Sequence, residues 1–469
     1  MLHPEQFYQY IPQTRVLASD ADRLVYNADA VTLERHDPSL VILVHSTEEI
    51  QKVVKHCALH NISIVTRGAG TGLSGGALAC NESVMIVTSA MKNIIEINTE
   101  ERYAVVEAGV VNATLSKLAK PYGLHFAPDP SSGAASTIGG NIAENAGGPH
   151  CLKYGATAEH ILALEVILPD GSIVHLSTED ETAPLLSLMI GSEGTLGIIT
   201  KAKVKLTPLA ESVETLLVDF VTPRDASQTV SAIISAGIVP AALEMIDSEV
   251  LDALEEAFHL GFPTDAGALL IIELDGRKHS LSRIVANIEA ICRAHNARTV
   301  RVAQNNSERN ALWQARKKAF GALGRVSPSY YTQDGVIPRY ALPEVLEEIY
   351  RIGKKHSLRI ANIFHAGDGN LHPAILYDEN NPESVRRCLE ASADILKLCI
   401  EKNGSITGEH GVGIEKKEAL GWMFSEADIA MMSRLRSAFN PTGYLNPAKF
   451  LPSDHSCFET GTKHRKVSV

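Results

Sequence analysis

Arg67-Gly-Ala-Gly-Thr-Gly-Leu-Ser-Gly-Gly76 is the stretch on which the reading of the fold turns. Five of its ten residues are glycine, at 68, 70, 72, 75 and 76, and it runs straight on from a short apolar segment at 62–65. Glycines let the backbone come close to a ligand and permit positive φ, so that successive N–H groups can face one anion. The spacing Gly70-x-Gly72-x-x-Gly75 matches the dinucleotide fingerprint. That fingerprint, however, has to open a crossover helix inside a unit of about 30 residues. Only residues 77–83 separate Gly76 from the next apolar strand, 84–88, which leaves no room for the helix. A Walker loop is excluded as well, because no Gly-Lys-Ser/Thr follows.

Upstream, Ser46-Thr-Glu-Glu49 forms a capping box, with Ser46 at the N-cap and Glu49 three residues on. Ile50, Val53, Val54, Cys57 and Ala58 then keep the helical period. Downstream, a helix is expected over 113–120 with Asn112 as its cap. A second loop rich in small donors follows. It starts at Pro128-Asp-Pro-Ser-Ser-Gly133, continues through Thr137-Ile-Gly-Gly-Asn141 and ends at Asn145-Ala-Gly-Gly148. Strands fit 164–168, 198–200 and 204–206. Either loop alone reads as a tight surface turn; two in one domain, each flanked by strands, read as a cofactor cradle. After Pro208 the texture changes. Strands such as 215–220 and 268–274 alternate with amphipathic helices near 224–236, 280–295 and 342–355, which makes a second α+β domain.

That second half carries His365-Ala-Gly-Asp-Gly-Asn-Leu-His372. Asp368-Gly369 is a type I′ hairpin signal, so His365 and His372 should fold towards each other. Glu409 would complete a two-histidine, one-carboxylate set with open positions for substrate oxygens. Nitrogen ligands plus one charge suit zinc first and manganese second. His410 follows at once; in an extended segment it would point away from Glu409 and be free to act as a base. Asn370 reads equally as a turn residue or as a hydrogen-bond partner of the substrate.

Composition narrows the class. The chain has 469 residues, 45% of them hydrophobic, which allows two or three cores. A net charge of −12 argues against a nucleic-acid partner. No apolar run approaches the roughly 18–20 residues of a membrane span. The N-terminus, MLHPEQFYQY, has no signal-peptide pattern. The seven cysteines are scattered without a C-x-x-C pair. They read as reduced thiols in a cytoplasmic protein, unable alone to hold an iron–sulfur cluster. The tail from about Pro452 is polar and expected to be mobile.

Taken together, Arg67 to Gly76, Pro128 to Gly148, Lys153-Tyr-Gly155 and Gly191-Ser-Glu-Gly-Thr-Leu-Gly197 resemble the FAD-binding domain of the vanillyl-alcohol-oxidase (p-cresol-methylhydroxylase) type. His365 to His372, Gly408-Glu-His-Gly-Val-Gly413 and Asn440-Pro-Thr-Gly-Tyr-Leu-Asn-Pro-Ala-Lys449 resemble its 2-hydroxy-acid dehydrogenase branch. That branch holds D-lactate and D-2-hydroxyglutarate dehydrogenases and the glycolate oxidase flavin subunit. The similarity runs over roughly residues 20–450. It implies an α+β chain: a two-subdomain FAD-binding domain over 1–210, a substrate-binding cap domain carrying the metal over 211–430, a segment returning to the flavin over 431–452, and the tail 453–469.

The resemblance further implies FAD over the first loop, at Arg67, Gly68, Gly70, Thr71, Gly72, Leu73 and Ser74. It adds Pro128, Asp129, Ser136, Thr137, Gly140, Asn141 and Asn145 from the second loop, then Gly194, Gly197, Ile199 and Asn446. Glu193 is open between ring contact and brace of its loop. Residues 66–79 hold no histidine, so non-covalent FAD is expected. His365, His372 and Glu409 match the branch's metal ligands, and Arg316 its substrate arginine; the residue-level alternative for Arg316 is a surface helix charge. The implied chemistry is metal-assisted oxidation of a 2-hydroxy acid, with His410 as base and hydride passing to flavin N5.

Two departures bear on substrate. The 2-hydroxyglutarate enzymes carry a threonine where this chain has Phe320 and a lysine where it has Thr332. Without those partners a second carboxylate is poorly served, which favours D-lactate or glycolate. Ser327-Pro-Ser-Tyr-Tyr and Asp334-Gly-Val-Ile-Pro338 look most like the glycolate oxidase flavin subunit and bacterial D-lactate enzymes. Electrons would leave to a separate acceptor, such as an iron–sulfur subunit, with the chain peripheral at the inner membrane through that partner; a homodimer is compatible. The alternatives are a 2-hydroxyglutarate-type enzyme and a metal-dependent hydrolase whose glycine loop binds phosphate.

Overall fold

The computed structural model describes residues 2–31, 33–80 and 82–452. The expected mobile tail, 453–469, lies outside the described residues, as does Cys457. The six described cysteines are free thiols. No helix among the described residues is long and apolar enough to cross a membrane.

The chain divides into two units. One comprises Met1–Gly147, Ala156–Leu209 and the chain from Glu409 on; the other is Gly148–Gly155 with Ala210–Gly408. The sequence reading had run the second domain on to 430 and left Gly148–Gly155 in the first, so both points are corrected.

In the first unit a four-stranded sheet has the order Val16–Leu17, Leu40–Leu43, Val84–Val87, Ile64–Arg67, with the last three parallel. Its inner strand, Val84–Val87, is buried throughout, as a strand covered on both faces must be. The crossover helix Thr47–His60 starts at Ser46 as expected, with the Ser46 hydroxyl accepting the Glu49 N–H, but the Glu49 carboxylate accepts from the His45 N–H and Arg15 and so does not close the expected capping box. It buries Ile50, Val53, Val54 and Cys57. A second, antiparallel sheet runs Ile94–Asn98, Tyr103–Glu107, Ile198–Lys205, Ile161–Ile167, Ile173–Ser177. The two strands expected at 198–200 and 204–206 are therefore one. Asn112 is not a cap: it is the first residue of the helix Asn112–Ala119, and its side chain donates to the Pro128 carbonyl at 3.0 Å.

The second unit is built on one antiparallel sheet. Its order is Thr299–Val302, Ser212–Phe220, Ala268–Gly276, Ala242–Asp247, Arg359–His365, Asn370–Tyr377, Ser329–Thr332, with Gly335–Val336 also on Asn370–Tyr377. The long helix Asn306–Val326 lays Leu312, Ala315, Ala319 and Leu323 into the core formed with Ile271, Ile246, Ile363 and Ala374. The octapeptide Gly148–Gly155 joins this unit through side chains. His150 meets Glu273 at 3.2 Å and stacks on Trp313, while Lys153 and Tyr154 both bond Asp275. Glu273 also accepts from Thr215 and Arg309, at 2.7–2.8 Å. Burial opposes its ionisation, yet the hydrogen bonds from His150 and Arg309 hold it well below the usual carboxylate range.

Asp247 provides a pH handle on this unit. It caps the helix Ser248–Phe258 and accepts from Tyr350 at 3.0 Å and from the Asn362 side chain at 2.8 Å. Burial nonetheless pushes its carboxyl up to about 6. The folded state thus holds this proton more tightly than the unfolded chain does. The linked stabilisation is complete below the ordinary value of 3.8 and is lost as pH rises through about 6. In Asp247→Asn that slope disappears. The stability difference, parent minus variant, should therefore fall by about 2 kcal/mol between pH 4 and 6. Denaturant titrations at the two pH values check this; a difference that does not change with pH would mean Asp247 titrates normally.

Candidate active site

In the second unit the two histidines are set by strand register. Arg359–His365 and Asn370–Tyr377 pair so that His365 faces Asn370 and Ile363 faces His372. His365, Asn370 and His372 consequently share one sheet face, with the histidines on the diagonal. Their rings lie 5.0 Å apart at 89°. The connection is not the two-residue type I′ turn expected from Asp368-Gly369. The strands end at His365 and Asn370, and a four-residue loop, 366–369, joins them, with Gly369 at φ +84. The expected meeting of the histidines nevertheless occurs, because the wider loop leaves the diagonal intact.

Each ring has its Nδ1 engaged. His365 Nδ1 lies 2.7 Å from Glu244 Oε1, and His372 Nδ1 lies 3.3 Å from the Gln333 carbonyl. A carbonyl or carboxylate only accepts, so both Nδ1 atoms carry a proton, and in the neutral rings Nε2 is the nitrogen with the lone pair. Glu244 is the residue that sequence reasoning missed. It is a single carboxylate inside the otherwise apolar run Ala242-Leu243-Glu244-Met245-Ile246 and is 1% exposed. A charge in a strand of that kind must have partners, and this was the available signal. Burial works against its ionisation, but His365 and Arg316 outweigh it and hold the carboxyl below its ordinary value.

Arg316 is not a surface charge. It is 3% exposed, while its neighbours Lys317 and Lys318 face solvent, and its Nε donates to Glu244 at 2.8 Å. Asn370 is buried, and its Oδ1 has no hydrogen-bond partner among the described residues. Asp334, fully buried, accepts from the Thr407 hydroxyl at 2.6 Å and the Gly408 N–H at 3.0 Å. Glu409 is one peptide bond further on. Glu409 and His410 are half-buried and lie in a bend, not in the extended segment that the sequence reading assumed.

In the first unit the glycine loops contain both engaged and free polar groups. The Arg67 guanidinium donates to the Ala28 carbonyl at 2.8 Å and lies over the Tyr26 ring, so it braces its own loop. Gly70 has φ +70, and a Cβ there would fall 2.1 Å from that guanidinium. Thr137 caps the helix Ile138–Glu144 through the Gly140 N–H, and Asn145 accepts from Ala158 at 2.9 Å. Asn446, expected at the cofactor, is 2% exposed and ties two elements together. It accepts the Thr66 N–H at 3.2 Å and donates to the Glu193 carbonyl at 2.7 Å. Ile199 packs in the core of the antiparallel sheet. Thr71, Gly72 and Leu73 are half-buried, as is Asp129; the Pro128 carbonyl is taken by Asn112.

Ser74 Oγ, Ser136 Oγ and Asn141 Nδ2 are different: all three are buried without a partner among the described residues. Buried polar groups are rarely left so. One donor set from the first loop and two from the second fit a dinucleotide spanning both loops. Behind them, the buried Lys449 donates to the Gly76 carbonyl, and burial lowers its ammonium to about 8. Glu144 and Glu193 both stand above the usual carboxylate range. Burial is the main cause for each, with Glu193 adding its repulsion on Glu144.

Known proteins identify the family. Residues 38–177 match the FAD binding domain, and residues 209–450 match the C-terminal domain of FAD linked oxidases. The chain is 43% identical to glycolate oxidase subunit GlcD of Escherichia coli (strain K12) over 97% of this chain and 92% of that protein. It is 32% identical to D-lactate dehydrogenase of Anaerostipes hadrus over 95% of this chain and 96% of that one. Among solved structures, p-cresol methylhydroxylase with substrate bound superposes with a TM-score of 0.80 at 16% identity, over 96% of both chains, which bears on the fold. The glycine cradle, its unpartnered donors and these matches together make the chain a member of the FAD-linked oxidases, an oxidoreductase that does not use NAD.

Proposed function

We propose that this protein oxidises a short D-2-hydroxy monocarboxylate, D-lactate or glycolate, to the 2-oxo acid. The observation that carries the reading is the engagement of Nδ1 in both hairpin histidines. With Nδ1 held on Glu244 and on the Gln333 carbonyl, His365 and His372 in their neutral form would turn neighbouring Nε2 lone pairs to an ion, the arrangement of a metal pair supported from behind. Glu409 would add the charged third ligand and leave coordination positions for the substrate. Zinc fits this donor set first, manganese second. An ion held by these residues would supply Lewis acidity that favours loss of the hydroxyl proton. Bound FAD supplies a two-electron acceptor for the α-hydrogen.

The protein's residues do the rest. His410 takes the hydroxyl proton as general base. Arg316 is half-committed, its Nε on Glu244, so its terminal nitrogens would meet the substrate carboxylate. Asn370 offers its Oδ1, which has no partner among the described residues, to the same ligand. Phe320 stacks on Tyr330 with centroids 6.0 Å apart, an apolar pair one turn beyond Arg316 that suits a substrate without a second carboxylate. The relatives named for glycolate and D-lactate support the substrate class. Electrons would pass on to a separate carrier, for which an iron–sulfur subunit is our choice.

Anaerobic addition of D-lactate or glycolate should bleach the flavin, and D-2-hydroxyglutarate should do so at least about tenfold less efficiently, the penalty of one poorly solvated charge. Equal bleaching by the dicarboxylate would overturn the size assignment; no bleaching by any of the three would overturn the function.

A further inference from the structure

Glu193 is committed in a way that the chemistry above does not use. Its two carboxylate oxygens accept from two consecutive backbone amides, Val412 and Gly413, each at 2.7 Å. The next two amides are fixed as well: Ile414 and Glu415 both donate to the Ser74 carbonyl, at 2.9 and 3.2 Å. Four successive N–H groups directly beyond His410 and Gly411 are therefore spoken for.

Glu193 is itself held. It is 4% exposed, its backbone lies at φ +53 in the left-handed region, and Asn446 donates to its carbonyl. Gly411 stands between His410 and the clamped amides at φ +88. A Cβ there would fall 2.7 Å from Glu144 Oε2 and 2.9 Å from Glu193 Oε1. The chain leaving His410 thus passes between two carboxylates and is gripped at once by one of them. A carboxylate bridging adjacent amides resists both rotation and sliding of the backbone, because either motion breaks two charge-assisted bonds.

We propose that Glu193 is a positioning residue for His410: it fixes the loop that presents the imidazole and acts on the reaction only through it. This rests on the reading of His410 as base. A base displaced by about 1 Å costs on the order of 10²-fold in rate, and that is the slowing of flavin reduction expected for Glu193→Ala, with KM nearly unchanged. Glu193→Gln keeps the shape and one acceptor, so it should lie between parent and alanine variant.

The test is anaerobic single-turnover reduction, expressed per bound FAD, in Glu193→Gln, Glu193→Ala, His410→Ala and the two double variants. FAD content and thermal unfolding are measured alongside. Glu193 variants that are slow alone, yet add no further slowing to His410→Ala, support the proposal. Slowing that multiplies in the double variants, or parental rates in both single Glu193 variants, overturns it. His410→Ala at the parental rate would overturn the base assignment, and this proposal with it, which separates the two failures. Should Glu193→Ala not fold, Glu193→Gln and its double variant carry the same comparison.

Discussion

His410→Ala should slow anaerobic flavin reduction by about 10²- to 10⁴-fold, the span that a positioned general base contributes, while the protein stays yellow. The two halves of this expectation have separate origins. The rate falls because the group proposed to take the hydroxyl proton is gone. FAD stays because the groups that fit it, Ser74, Ser136 and Asn141, sit on the two glycine loops and owe nothing to the imidazole. Added imidazole should restore part of the rate, more at higher pH, since only the neutral ring accepts a proton. A colourless variant would mean that His410 holds the loops rather than the proton. A yellow variant reduced at the parental rate would end its assignment as base.

Removing divalent ions should act as strongly. Treatment with a chelator is expected to lower turnover by on the order of 10³-fold, several kcal/mol of lost charge stabilisation, and zinc or manganese should restore it. His372→Ala should show the same loss without rescue. Glu244→Gln is the informative companion. It leaves the His365 ring its position but gives it a neutral partner, so metal affinity should fall about 10- to 100-fold and excess metal should recover activity. The same change strips buried Arg316 of its counter-charge, at a cost of about 3–5 kcal/mol in stability. Turnover indifferent to the chelator, with no metal retained through dialysis, would remove the ion from the reaction.

Local chemistry accounts for what could be read in advance. The helix after Ser46 and the rejection of a dinucleotide-fingerprint fold followed from neighbours within about ten residues, where capping and chain length decide. The meeting of His365 and His372 was foreseen for a partly wrong reason: a two-residue turn was assumed, whereas strand pairing, with His365 opposite Asn370, brings the rings together. What stayed hidden depends on pairing across long sequence separations. Glu244 supports His365 only because Met245 is aligned with Phe364. Asn112 looked like a cap until a loop 16 residues away claimed its side chain. Asn446 and Arg67 were expected in the cofactor cradle, and their hydrogen bonds to Thr66, Glu193 and Ala28 could not be read from residue type.

The octapeptide Gly148–Gly155 has a consequence for heredity. It leaves one unit between Ala146 and Thr157, which hydrogen-bond to each other at 3.2 Å across its base, and its side chains serve Glu273 and Asp275 of the other. No single cut in the gene can divide the protein into two self-sufficient pieces. A segment 210–408 expressed by itself would leave Asp275 without Lys153 and Tyr154, and Glu273 without His150. Each unit is assembled from separated stretches of chain, so the two are inherited interleaved.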